Sequence, residues 1–251
     1  MLLLYLLIVG LAIGSFLNVL IDRLPKGEGI FGRSYCDHCK KKIKGYDLIP
    51  VLSFIFLGGK CRFCNKKISF QYPLVEFLTG VLFAFAWLYL PVDNILKVLY
   101  LGIISSLIVV FFADFKYQII PDEIQMTLFI FVLLGLFLTG GTSLVLKRFL
   151  DGLLIMLPLL AVFLLTKRKG MGFGDVKLGF ILGYLLGWVP GFMALYIAFL
   201  TGAIVGLIEI LLKRKKIRSK IAFGPFLALG TIVMIFFGDP VSNFLAKLFG
   251  F

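Results

Sequence analysis

Histidine is almost missing from this chain. The single one in 251 residues, His38, stands between two cysteines in Cys36-Asp37-His38-Cys39. Without further imidazoles a His-Glu-x-x-His zinc hydrolase and a Ser-His relay are both excluded, so proton transfer falls to another residue type. Charge is scarce as well: charged residues make up 16% of the chain against 61% hydrophobic, and 13 acids face 26 lysines and arginines. The resulting net charge of +13 is not accompanied by an aromatic-basic recognition module. It is better explained by membrane topology and contact with anionic lipid than by nucleic acid, which is not expected as a partner.

What the chain has in abundance is apolar runs. Crossing the roughly 30 Å hydrocarbon layer takes about 20 helical residues. Runs near 2–21, 73–90, 95–113, 124–139, 149–166, 176–188, 190–212 and 221–237 give about eight expected spans. Lipid offers the backbone no hydrogen-bond partners, and these runs are continuous rather than alternating, so the expected fold class is all-α, a polytopic membrane helical bundle. The first run begins without a basic segment and contains Ser15 and Asn18 near its end, which favours a retained span over a cleaved signal peptide. The stretch from Leu178 to Leu212 is too long for one span and is expected to break at Trp188-Val189-Pro190-Gly191, because proline interrupts the helical ladder. That leaves a short helix after Asp175. Its Gly179, Gly183 and Gly187 read either as a packing seam or as part of a catalytic cleft.

Orientation follows from the basic loops. Eleven lysines and arginines lie between spans one and two, Lys167-Arg168-Lys169 between five and six, and Lys213 to Lys220 between seven and eight. These are alternate loops on one side, which the positive-inside rule makes cytoplasmic; Lys147 and Arg148 on the other side are a mild exception.

All four cysteines sit in the first of these loops, as Cys36-Asp37-His38-Cys39 and Cys61-Arg62-Phe63-Cys64. A two-residue gap lets one turn present two thiolates to a tetrahedral ion, and two such knuckles read as a structural four-cysteine zinc site. Two disulfides are the alternative, which a reducing cytoplasm disfavours. So short a loop lacks material for a large core, so zinc would supply much of its folding energy.

Acids in or at spans are the candidates for chemistry, since a carboxylate at membrane depth is costly to keep. They are Glu76, Asp114, Asp122, Glu123, Asp151, Asp175 and Glu209. Glu209 is expected to pair with Lys213 four residues on, and Asp151 to start an outer-side helix. Glu76 is open between capping, pairing with a basic loop and facing a cavity. Asp114 ends an apolar run, and Asp175 closes Gly172-Phe173-Gly174-Asp175 on the same membrane face. Two close carboxyls in a poorly hydrated cleft divide labour, one keeping a proton while the other activates water. Gly172 and Gly174 would let an extended peptide approach without a Cβ in the way. The bland alternative is a pair of interface acids bound to Lys116 and Lys177. A non-enzymatic alternative is an ion or proton relay, which would spread carboxylates through the membrane depth.

At these residues the chain resembles the type IV prepilin peptidases, also called leader peptidases/N-methyltransferases, within the wider Gly-x-Gly-Asp membrane aspartyl proteases. The likeness rests on Gly14-Ser15-Phe16-Leu17-Asn18-Val19 with Arg23-Leu24-Pro25, the cysteine knuckles, and Tyr72-Pro73-Leu74-Val75-Glu76. It continues through Asp114 with Ile120-Pro121-Asp122, Gly172 to Lys177, and Phe223-Gly224-Pro225-Phe226. The resemblance implies three parts: a first span (1–21), a cytoplasmic zinc-binding domain (22–72) and a transmembrane aspartyl peptidase domain (73–251). It implies prepilin or pseudopilin substrates, cut after glycine behind a short basic leader by Asp114 and Asp175. It further implies methylation of the new N-terminus from S-adenosylmethionine, for which no glycine-rich loop is recognisable. Gly172, Gly174, Lys177, Glu76, Asp122 and Pro225 are the accompanying site residues. Asp122 is the second choice for the dyad and otherwise an expected cap of the fourth span.

Overall fold

The computed structural model describes residues 1–168, 170–212 and 222–249. Its helices are α1 (Leu2–Arg23), α2 (Leu52–Phe56), α3 (Gln71–Tyr89), α4 (Asn94–Tyr117), α5 (Asp122–Leu165), α6 (Phe173–Leu186), α7 (Trp188–Leu211) and α8 (Gly224–Phe249). Among the described residues the only extended pairings are two single bridges, Tyr35 with Lys42 and Lys60 with Lys67. The chain is therefore an all-α integral membrane protein, with five helices long and apolar enough to cross a bilayer.

It divides into two compact units, Met1–Val92 and Asp93–Phe251. In the first, α1 and α3 pack through glycines. A Cβ at Gly10 would stand 2.7 Å from Gly80 Cα, and one at Gly14 would stand 2.6 Å from Glu76 Cα, so only glycine permits this backbone approach. The expected boundary at residue 72 thus falls inside this unit, because α3 is seated on α1. Arg23 closes α1: its guanidinium donates to the carbonyls of Gly29, Ile30, Phe31 and Arg33 at 3.2–3.3 Å, wrapping the start of the loop around the helix end.

In the second unit α4 is the core. Ile103, Ile104, Leu107, Ile108, Val109, Val110 and Ala113 are all buried, since α4 packs against both α5 and α8. The 44 residues labelled α5 would run about 66 Å as one rod, twice a bilayer. Gly141, at φ 63° and ψ −159°, breaks them into two segments, matching spans four and five except that helix replaces the expected loop at 140–148. The break before α7 is not at Pro190. It falls at Gly187, at φ 87°, and Pro190 stands in the first turn of α7, where its missing N–H leaves no bond unmade. α6 is short, 14 residues or about 21 Å, and its glycines serve as a seam: Gly183 faces Ile155 and Gly179 faces Leu159. α8 runs on past the expected end at residue 237, with a kink at Phe237 ahead of Pro240.

Candidate active site

Three separate stretches of the second unit meet at one cavity of about 370 Å³. Asp114 comes from the last turn of α4, which continues to Tyr117, and its carboxyl is buried. Its Oδ2 accepts the backbone N–H of Gly224 at 2.9 Å, a bond joining residues 110 apart in sequence. Asp175 lies in the first turn of α6, also buried, and its Oδ2 accepts the Gly172 N–H at 3.1 Å. That bond satisfies a donor at the start of the helix and fixes the carboxyl. Oδ1 of Asp175 is buried and has no hydrogen-bond partner within the described residues.

Ile120 holds these parts in register. A Cβ at Gly174 would stand 3.3 Å from Ile120 Cβ, and one at Gly224 would stand 3.1 Å from Ile120 Cδ1. The same Cβ at Gly224 would lie 2.8 Å from Asp114 Oδ2, so the Asp114 contact requires glycine at that position. Gly172, Gly174, Lys177 and Asp122 line the cavity with the two buried acids. Pro225 is buried behind Gly224 at the start of α8.

Asp122 behaves differently from the expected cap. It stands in the first turn of α5, but no side chain caps that helix, and its exposed carboxylate pairs with Lys177 at 2.8 Å. The lysine therefore neutralises Asp122 rather than Asp175. Asp151 pairs with Arg148 at 3.7 Å. The expected partner of Glu209, Lys213, lies outside the described residues. Glu76 belongs to the first unit, where its Oε2 accepts the Val51 N–H at 2.7 Å. Val51 has φ 61°, a backbone conformation uncommon for a β-branched residue, and the carboxylate is what holds it.

Sequence reasoning places Gly224 and Ile120 within motifs without singling them out, and it misses Gln125. Gln125 is buried on α5, with both polar side-chain atoms unpartnered among the described residues. Its Nε2 would lie 3.5 Å from a Cβ at Gly174. A polar residue on the buried face of an otherwise apolar helix is the available signal.

In the first unit the four cysteines are unbridged, and their sulfurs all lie within 4.8 Å of one another. A tetrahedral ion bonded to sulfur at about 2.3 Å spaces its ligands about 3.8 Å apart. The Cys36 and Cys64 sulfurs are 3.9 Å apart, so the donor set fits one metal ion. The two knuckles repeat each other. Lys40 N–H donates to Cys36 O and Asn65 N–H to Cys61 O, at 2.8 and 2.9 Å, with Lys40 and Asn65 both at positive φ. Backbone N–H groups of Cys64 and Phe63 directed at the Cys61 sulfur lower that thiol, whereas desolvation and the neighbouring sulfurs of Cys61, Cys39 and Cys36 push Cys64 up, so without an ion the four thiols share their protons unevenly.

The fold and cavity define a polytopic membrane protein with two buried carboxyls on a glycine-bounded site and a separate four-thiol centre. Comparison with known sequences places it further. The model of the type IV leader peptidase family matches residues 101–207, and that of the bacterial peptidase A24 N-terminal domain matches residues 8–90. A prepilin leader peptidase/N-methyltransferase of Aeromonas hydrophila is 34% identical over 264 residues, covering 93% of this chain and 90% of the relative. One of Bacillus subtilis is 32% identical, covering 97% of each chain. One of Legionella pneumophila is 33% identical, covering 94% of this chain and 93% of the relative. No solved structure matches significantly. The chain belongs to the type IV leader peptidase family.

Proposed function

We propose that the chain is a prepilin leader peptidase of the inner membrane, with its active site toward the cytoplasm, that cleaves prepilins or pseudopilins after glycine and methylates the new N-terminus. The observation that carries the peptidase reading is the convergence of Asp114 and Asp175 on one cavity bounded by Gly172 and Gly174. In hydrolysis one carboxyl, protonated, donates a hydrogen bond to the scissile carbonyl oxygen. The other carboxylate takes a proton from water as that water's oxygen bonds the carbonyl carbon. The tetrahedral intermediate then collapses, the C–N bond breaks and a proton passes to the leaving amine. The unpartnered Oδ1 of Asp175 supports such a proton-handling role, with Gly172 and Gly224 donating their N–H groups to Oδ2 of Asp175 and of Asp114 respectively.

The exposure of Asp122 and its bond to Lys177 support Asp114 as the partner of Asp175. Lys116 and Lys177 are among the basic residues on the face that the positive-inside rule makes cytoplasmic. The metal at Cys36, Cys39, Cys61 and Cys64 is zinc in a structural role, since four thiolates leave no open position for water or substrate. Methylation draws on the relatives' printed activity and uses S-adenosylmethionine as methyl donor; no residue of this chain is assigned to it. The test is to incubate the purified protein with a prepilin and S-adenosylmethionine and to weigh the product. A mass lower by the leader and higher by one methyl is expected, and an uncut prepilin overturns the reading.

A further inference from the structure

The cysteine-bearing loop carries an apolar face that no other described part of the first unit covers. Leu52, Ile55 and Phe56 are exposed on one side of α2, at i, i+3 and i+4, with Ile49 one turn earlier also exposed. Phe56 is 85% exposed, an unusual state for phenylalanine in water.

The depth of this face is fixed by bonds within the first unit. Glu76 lies five residues into α3, about 7 Å along a candidate membrane span, and its carboxylate binds the amide of Val51 immediately before α2. Phe54 packs edge-on against Phe70 at 6.2 Å and covers Gly59. Gly58 and Gly59, both at positive φ, turn the chain back, and Ile68 N–H donates to Gly59 O at 2.8 Å. The turn is thus pinned beside the start of α3, where Phe70, just before the helix, and Leu74 and Phe77 within it are exposed. Lys44 and Lys60 flank it and are exposed, while the sole acid between them, Asp47, is neutralised by Arg62 at 2.6 Å.

We infer that residues 49–57 form an interfacial anchor: the face of Ile49, Leu52, Ile55 and Phe56 inserts into the headgroup–acyl boundary of the bilayer that α1 and α3 cross, with Lys44 and Lys60 at the lipid phosphates. An apolar turn rimmed by lysines at this depth fits an anionic lipid interface, and the lysine stems reach outward to the headgroups. The anchor fixes the height of the four-thiol centre above the membrane, because Cys61 follows the turn directly.

The test uses the full chain in phosphatidylethanolamine/phosphatidylglycerol vesicles. Phe56→Trp is introduced with Trp87→Phe and Trp188→Phe, and lipids brominated high on the acyl chain serve as quencher. Emission from the single indole of this variant is expected to fall about twofold or more, while His38→Trp, at an exposed position in the same background, stays nearly unquenched. Equal weak quenching at both positions overturns the inference: with red-shifted emission the turn lies in water, and with blue-shifted emission a protein surface covers it. Ile55→Trp reads the same depth and decides the matter should the first variant fail to fold.

Discussion

The four-thiol centre draws all its sulfurs from residues 36 to 64, and each half is complete in a few residues: Cys-x-x-Cys, then one residue at positive φ, Lys40 or Asn65, then Lys-Lys-Ile. The acid cavity is assembled the other way, from α4, the start of α6 and the start of α8, with a decisive contact joining residues 110 apart. Short-range sites announce themselves in spacing, because chain geometry alone brings their ligands together. A long-range site announces only its chemistry. Which acid meets which glycine depends on how the helices pack.

If the contrast holds, damage to the cavity should stop chemistry without unfolding the protein, and damage to the knuckles should loosen a module while sparing the chemistry more. The largest effect is expected for Asp114→Asn and Asp175→Asn. Each replaces a proton-handling group at nearly constant volume, so prepilin cleavage should fall by about 10³-fold or more with the helical circular dichroism unchanged. Cleavage by either variant near the normal rate would remove that residue from the dyad.

Gly224→Ala comes next. A methyl there would stand 2.8 Å from Asp114 Oδ2, so the carboxyl must shift. A displacement of that order should lower kcat by about 10²-fold, with detergent-solubilised stability little changed. An unaltered kcat would show that the Gly224 contact does not position Asp114.

Cys36→Ser should abolish binding of one zinc per chain, read by elemental analysis, and make the segment between α1 and α3 sensitive to limited proteolysis. The loss of cleavage should be well below that of the aspartate variants, since an ion held by four thiolates would have no open position for water. A full loss of cleavage with an intact loop would give the metal a direct role.

Asp122→Asn should have the smallest effect. The pair with Lys177 is exposed, and such pairs contribute about 0–1 kcal/mol, so cleavage should change by no more than a fewfold. Loss as deep as that of Asp114→Asn would exchange the roles of the two acids.

Much of the architecture was legible because lipid imposes simple rules. Apolar length marked where the helices lie, the four cysteines marked their own centre, and the scarcity of acids left few candidates for chemistry. The misreadings share a cause. Pro190 looks like a helix breaker wherever it stands, but in a first turn it breaks nothing, and Gly187 makes the bend instead. Asp122 after Pro121 looks like a cap, yet Lys177 from another helix takes its charge. Glu76 could not be assigned because its partner, the amide of Val51, is a backbone group with no signature in sequence.

The sequence alone determined that the chain is helical and crosses a membrane, that four thiols stand at metal-ligand spacing, and that carboxyls rather than imidazoles are the candidates for proton transfer. These follow from composition and short spacing, which act on the chain before it folds. Tertiary structure decided which carboxyls share a cavity, that the Gly224 amide and Ile120 side chain hold them in place, and that α3 packs with α1. Those outcomes depend on close approach between distant backbones, set by where glycine leaves room, and such contacts exist only once the helices have packed.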